Sequence, residues 1–175
     1  MIGEAVHAEL LVLRLVHILT AIAWVGSGIF TSVFLIPALA GSPALMGQVL
    51  AGLQRRRYFV AIPIVAGLTI LSGLRLMWIA SAGFDSAYFA TGPGRTFAIS
   101  GVAALIAFIL LMGVGRPAAS RAAAISAKLN AAPEAERQGL SAQLDRVRRR
   151  GAMATMMAVG FGVLAASGMA IARYV

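Results

Sequence analysis

Residues 14–26, RLVHILTAIAWVG, place a cation, an imidazole and an indole inside an otherwise apolar run. On an α-helix, which turns about 100° per residue, one arc of about 80° would hold six residues of this region: Leu10, Arg14, His17, Ala21, Trp24 and Gly28. A stripe facing lipid would be apolar throughout, so we expect this face to point into a helix bundle. Haem iron accepts a protein imidazole as an axial ligand. Two hypotheses follow for His17: it ligates haem b, or it is hydrogen-bonded to a neighbouring helix.

The number of histidines limits the second axial ligand of such a haem. The chain has two histidines, and His7 and His17 would lie about 15 Å apart along a continuous helix. One helix cannot bring both to a single iron, which excludes a bis-histidine haem within one chain. The second ligand is then absent, a water, a residue of another subunit or a methionine. Met77 and Met169 are the methionine candidates, although a methionine in a membrane helix usually serves packing alone.

The composition is that of a membrane protein. Of the 175 residues, 60% are hydrophobic and 12% are charged, against roughly 25% charged in soluble domains. Cysteine is absent, which excludes disulfides, thiolate-bound iron–sulfur clusters, cysteine nucleophiles and c-type haem. We predict an all-α fold: an integral membrane four-helix bundle, residues 1–175, with a cytoplasmic helical hairpin between helices 3 and 4. The predicted spans are 10–39, 58–80, 96–114 and 152–172, with an amphipathic surface helix at 43–54 and the hairpin at 117–150. The hairpin would prolong the third and fourth spans out of the membrane; the alternative is a solvated basic loop with fraying helices. Residues 81–94 are expected to form a loop, and residues 92–95 a turn before the third span.

The basic residues predict an orientation. Of the 15 lysines and arginines, three lie in the first loop and eight in the third. The positive-inside rule places these loops in the cytoplasm and both termini in the periplasm, as expected for a multi-pass protein of the bacterial inner (plasma) membrane. The net charge of +9 is thereby explained without a nucleic-acid partner. The expected partners are membrane lipids, with other membrane subunits or further copies of the chain as candidates.

Four arginines do not follow this distribution: Arg14, Arg75, Arg95 and Arg173. They come from all four spans, and the topology puts each near the outer surface. A charge at mid-membrane costs about 2.5–3.5 kcal/mol, and less near an interface. One hypothesis is a shared anion site, in which Arg14, Arg75 and Arg95 would anchor haem propionates. The other is that each arginine extends separately to the outer headgroups. The acidic residues available on that side are Glu4, Glu9 and Asp85.

The segment RLVHILTAIAWVGSGIF resembles the first helix of the CopD-like membrane proteins. These include the copper-resistance D family and the HemJ-type protoporphyrinogen oxidases. Their pattern is a histidine, a tryptophan seven residues later and then a glycine, here His17, Trp24 and Gly26. The resemblance implies a four-helix bundle with His17 as a haem ligand. The HemJ-type enzymes also use a lysine at the start of the third span, where this chain has Arg95. Arginine keeps its proton, which argues against protoporphyrinogen oxidase activity.

Two functions from different classes fit these patterns. The first is a b-type haem protein in electron transfer or in porphyrin or quinone redox chemistry, whether or not it is an enzyme. His17 would then be the proximal ligand, and Trp24 would pack near the macrocycle. The second is a non-catalytic accessory subunit of a larger membrane complex, packing on its neighbours through glycine- and alanine-rich faces such as that of Gly160, Gly162 and Gly168. A copper path would need cysteines or methionines near His17. A proton-coupled transporter would need an acidic residue within a span.

Overall fold

The computed structural model describes residues 2–175, and the side chains of residues 6–42 and 44–175. The described chain is helical nearly throughout, which confirms the all-α prediction. Four helical stretches are long and apolar enough to cross a membrane: Val6–Leu39, Tyr58–Ala80, Gly92–Ala131 and Glu134–Tyr174. The chain therefore has the helices that a four-span membrane bundle requires.

Within residues 2–175 the chain forms eight α-helices: α1 (Ile2–Ile29), α2 (Ile36–Leu39), α3 (Pro43–Arg55), α4 (Tyr58–Ala80), α5 (Ser86–Ala90), α6 (Gly92–Leu110), α7 (Arg116–Ala131) and α8 (Glu134–Ile171). The third span begins earlier than predicted. Residues 92–95, interpreted from the sequence as a turn, form the first turn of α6, because Thr91 caps it by accepting the Gly94 N–H at 3.1 Å. The fourth span is continuous with the second arm of the hairpin in one helix, α8, which starts at Glu134, as expected for a hairpin that prolongs the span.

The connection between α4 and α6 contains α5, a short helix where the sequence predicted a loop. Asp85 stands before this helix, and its carboxylate accepts the Ala87 N–H at 3.0 Å. An aspartate in this position satisfies one of the unpaired N–H groups of the first helical turn. The sequence signal for α5 was therefore the capping residue.

The first and third spans each contain a π-helical segment that the sequence interpretation did not predict. The first segment is Phe30–Leu35 and the second is Leu111–Gly115. Each ends two residues before a proline, Pro37 or Pro117. Proline has no N–H to donate to the carbonyl four residues earlier, and its ring clashes with that carbonyl. The turn before the proline therefore widens, and both spans depart from regular α-helix at the same end of the bundle.

The four spans pack as two helix pairs, α1 with α4 and α6 with α8. The pairs meet around Trp24, whose side chain is 7% exposed and lies edge-on to Phe108, with ring centroids 6.2 Å apart. Glycines allow the close approach of α1 to α8. A Cβ atom at Gly28 would lie 3.2 Å from Val159 Cγ2. The core of the bundle is therefore small and alanine-rich around one tryptophan.

Beyond the bundle, α7 and the first half of α8 pack against each other and are joined at residues 132–133. A Cβ atom at Gly151 would lie 2.9 Å from the Cβ of Ala118. At the tip, the Arg137 Nε donates to the Ala132 carbonyl at 3.0 Å. These contacts form a helical hairpin, and its cytoplasmic location stays a prediction.

Candidate functional site

The imidazole of His17 faces α4. Its Nδ1 lies 2.9 Å from the carbonyl oxygen of Thr69 and 3.2 Å from the hydroxyl of Ser72. A carbonyl oxygen only accepts, so Nδ1 carries the proton and donates it. Thr69 and Ser72 are both buried. His17 thus points into the helix pair rather than toward lipid, in the direction expected from the helical arc.

Gly73 makes this position available to the ring. A Cβ atom at Gly73 would lie 2.8 Å from His17 Cε1 and 3.2 Å from Nδ1. Real Cβ atoms essentially never come within 3.0 Å of such a neighbour. The imidazole therefore lies directly on the backbone of α4, and only glycine fits at residue 73 without a shift of the ring.

The bond to Thr69 fixes the tautomer of His17. With the proton on Nδ1, a neutral ring presents its lone pair at Nε2. Nε2 has no hydrogen-bond partner among the described residues. Histidines that bind metals commonly donate their other ring N–H to a backbone carbonyl or a carboxylate, which orients the ring. His17 is held in the tautomer that ligation through Nε2 requires.

Further hydrogen bonds join α1 and α4 beside His17. The Thr69 hydroxyl donates to the Thr20 hydroxyl at 2.9 Å, while Thr20 donates to the Val16 carbonyl at 2.7 Å. Bonds of this kind between membrane helices are worth about 0.6 kcal/mol on average. We name as the polar seam these six residues of the two helices: Glu9, His17, Thr20, Thr69, Ser72 and Arg75.

Arg75 forms an ion pair at the end of the polar seam nearer the start of α1. Its Nε and Nη2 donate to Glu9 Oε1 at 2.8 and 2.7 Å. The pair lines a groove of about 320 Å³ beside Trp78 and Ile79. Both side chains are partly exposed. An anion binding to Arg75 would have to compete with the carboxylate of Glu9.

Three further arginines of the predicted anion site or its level are exposed: Arg14, Arg95 and Arg173. Arg95 lies in the first turn of α6, with its Nε 3.5 Å from the Thr91 carbonyl. Arg173 stacks on the ring of Tyr174, with Cζ 4.7 Å from the centroid. Arg14 is exposed one turn before His17 on α1. The contacts of Arg75, Arg95 and Arg173 do not join them to one another, and a shared anion site stays a prediction.

The acidic residues that were expected near these arginines make different contacts. Glu9 pairs with Arg75, and Asp85 caps α5. The side chain of Glu4 lies outside the described residues. Within residues 6–42 and 44–175, no group of three histidine, aspartate or glutamate side chains could hold a metal ion.

The remaining predicted site residues form no described hydrogen bond with the imidazole. Trp24 is seven residues further along α1 and packs in the core. Met77 follows Gly73 by one turn of α4, and Met169 is on α8. The hydrogen-bond partners of His17 among the described residues are on α4 and include neither methionine. Both methionines stay predictions as axial ligands.

Sequence reasoning missed the partners of His17. Ser72 and Gly73 follow Thr69 by three and four residues, within a span that is largely apolar. Two hydroxyls and a glycine on one face of a membrane helix indicate close contact with another helix. That spacing was the signal that could have found them.

The chain matches no protein-family model, no curated protein and no solved structure. The resemblance to CopD-like proteins therefore rests on the pattern of the first helix, and the geometry of the polar seam carries the functional interpretation.

Proposed function

We propose that this chain is an integral membrane protein that binds haem b through His17 Nε2 and acts in electron transfer or in redox chemistry on a porphyrin or quinone. The observation that carries the proposal is the 2.9 Å hydrogen bond from His17 Nδ1 to the Thr69 carbonyl. It supports ligation because it sets the tautomer and orientation of the ring and leaves Nε2 for a metal.

The residues around His17 fit the role of a haem-ligand support. Gly73 lets the ring lie on the α4 backbone, and the Ser72 hydroxyl lies beside the bonded nitrogen. Arg14 is the arginine best placed to hold a propionate, since it is exposed and one turn away on the same helix. Arg75 can serve only in exchange for Glu9. Haem, when bound, supplies one-electron chemistry, and the chain orients the ligand and holds its proton on Nδ1.

The membrane placement belongs to the same proposal. Four helices long and apolar enough to span support it. The orientation, with the basic loops and the hairpin in the cytoplasm of a bacterium and both termini in the periplasm, rests on the positive-inside rule. Accessibility labelling of single cysteines at Ser86 and Ser120 in intact cells would test it, since the chain has no native cysteine.

The experiment for haem binding is a reduced-minus-oxidised absorption spectrum of protein expressed with added haem. His17→Ala removes the proposed ligand. His7→Ala is the matched control, because His7 is exposed and about 15 Å away along α1. We expect the b-type signal in the wild type and in the control, and its loss in His17→Ala.

A second function, that of a non-catalytic subunit in a larger membrane complex, is favoured by the open glycines of the bundle. A Cβ atom at Gly26, Gly67, Gly101 or Gly160 would meet nothing within 4 Å. The prediction was wrong for Gly162 and Gly168, because a Cβ atom there would lie against Val25 of α1 and Ser100 of α6. Small residues on an outer helix face let the backbone of another membrane helix approach closely. Purification in mild detergent tests this function: a defined partner supports it, and a chain that runs alone as a colourless monomer contradicts it.

A further inference from the structure

Exposed arginines from three separate segments lie at the end of the bundle that carries the hairpin. We call the following seven residues the basic belt: Arg55, Arg56, Arg57, Arg116, Arg148, Arg149 and Arg150. The first three end the loop before α4, Arg116 starts α7, and the last three lie midway along α8. The segments are far apart in sequence, so the fold must bring them to the same height along the bundle axis.

Contacts between helices set that level. Gly28 and Gly115 lie against Val159 and Thr155 of α8, at 3.2 and 3.3 Å from a built Cβ. Arg116 is therefore level with the turn of α8 that holds Thr155, and Arg150 lies five residues, about 7.5 Å, before it. The start of α4 joins the same layer through Tyr58, whose hydroxyl is 3.0 Å from the hydroxyl of Thr31 on α1. Between Arg148 and the turn of Thr155, this layer is about 10 Å deep along α8.

The charges of the belt are uncompensated within the described side chains. Ion pairs there join Arg75 to Glu9 and Arg137 to Glu134, and neither involves a belt residue. The acidic residue nearest to Arg148 in sequence is Asp145, which forms no described ion pair. A layer of guanidinium groups with so little internal neutralisation attracts anions from outside the chain.

On the bundle side of the belt, apolar side chains are strongly exposed. Met153 is 68% exposed and Met156 54%, within two turns after Arg150. Phe59 and Val60 are exposed directly after Arg57. Two of the three basic segments are thus followed, in the direction of the spans, by apolar surface. A ligand that matches both parts has an anionic head and an apolar tail.

We propose that the basic belt binds the headgroups of anionic phospholipids, with their acyl chains on the exposed apolar side chains next to it. The proposal rests on the membrane insertion proposed above and is independent of haem. Guanidinium groups pair with phosphate oxygens through two parallel N–H donors, and anionic lipids attract basic residues beside a span. An acidic protein or nucleic acid would leave Met153 and Phe59 uncovered, so lipid is the occupant that matches both surfaces.

The test compares lipids retained by variants of equal charge. Full-length protein is reconstituted in vesicles of phosphatidylcholine and phosphatidylglycerol, extracted gently, and its bound lipid is counted by native mass spectrometry. The belt variant is Arg149→Gln/Arg150→Gln. The control, Lys128→Gln/Arg137→Gln, removes two charges near the tip of the hairpin, which is joined at residues 132–133. We expect phosphatidylglycerol enrichment of about threefold or more in the wild type and the control, and its loss in the belt variant.

Equal retention of the two lipids by the wild type overturns the proposal. So does an equal loss in both variants, because net charge alone would then explain the binding. Glycerol phosphate that displaces the retained lipid at millimolar concentration also overturns it, in favour of a site for free anions. If the belt variant does not fold, the thermal unfolding midpoint of the wild type tests the proposal instead. The proposal requires a higher midpoint in phosphatidylglycerol than in phosphatidylcholine. Flotation with pure phosphatidylcholine vesicles tests insertion separately.

Discussion

The imidazole of His17 lies on the backbone of α4 at Gly73, so closely that a Cβ atom there would be 2.8 Å from Cε1. The same ring donates from Nδ1 to the Thr69 carbonyl one turn away. A packing contact and a hydrogen bond, both with α4, therefore fix the position of the His17 side chain. Since Nε2 has no described partner, this arrangement positions a histidine without consuming the nitrogen that could bind a metal.

We predict that Gly73→Ala displaces the His17 ring and destabilises the protein. Adding a methyl group to a packed contact costs about 1–3 kcal/mol. Gly67→Ala on the same helix is the control, because a Cβ atom there would meet nothing within 4 Å. Thermal unfolding in one detergent, followed by circular dichroism, measures both variants. A Gly73→Ala protein as stable as Gly67→Ala would show that the contact with His17 is not tight.

The hydrogen bond between the hydroxyls of Thr20 and Thr69 predicts a measurable coupling energy between the two side chains. Thr20→Val and Thr69→Val each remove one member of the 2.9 Å bond, while the Thr69 carbonyl that holds His17 remains. A double-mutant cycle on unfolding should give a coupling of about 0.6 kcal/mol and not more than about 1.7. Strictly additive effects of the two substitutions would mean that the bond does not contribute to stability.

The sequence predicted the long apolar helices and the side of α1 on which His17 lies. Apolar runs of spanning length are specified locally, and so is the angular position of a side chain on a helix. The π segments were also within reach, because Pro37 and Pro117 are visible in the sequence and each removes a backbone donor. The sequence interpretation did not infer that the turn before each proline would widen.

The partners of the site could not be read from the sequence alone. Thr69 is 52 residues from His17, and Glu9 is 66 residues from Arg75. Which helices pair, and in which rotation, depends on the packing of all four spans. Arg75 shows the consequence: its depth suggested a place among the arginines of an anion site, and the fold gives it a carboxylate.

The ion pair between Arg75 and Glu9 predicts that substitutions of its two members change the affinity for an anionic ligand in opposite directions. If Arg75 binds a haem propionate, Glu9→Gln removes the competing carboxylate and strengthens haem binding a few-fold, while Arg75→Gln weakens it. Because both side chains are partly exposed, solvent screening keeps the effects modest. Haem titration of the purified apoprotein gives both dissociation constants. Unchanged affinity in both variants would remove Arg75 from the proposed site.

The close packing of α7 on α8 predicts that a disulfide can be engineered in the hairpin. Ala118 Cβ lies 2.9 Å from a Cβ built at Gly151, and disulfides form at Cβ separations of about 3.5–4.5 Å. A small parting of the helices would therefore let Ala118→Cys/Gly151→Cys oxidise readily. Ser120→Cys/Gly151→Cys is the control, since Ser120 is exposed on another face of α7. The chain has no native cysteine, so the thiol count after mild oxidation is unambiguous. Equal oxidation of the two pairs would contradict the packing of α7 on α8.

The most direct measurement is the reduced-minus-oxidised spectrum of wild type, His17→Ala and His7→Ala, each expressed with added haem and checked for helical content. Ligation through His17 predicts a b-type spectrum in the wild type and in His7→Ala, and no such spectrum in a folded His17→Ala protein. A flat trace from the wild type, or an undiminished signal from His17→Ala, would contradict it and leave His17 as a hydrogen-bonded packing residue between α1 and α4.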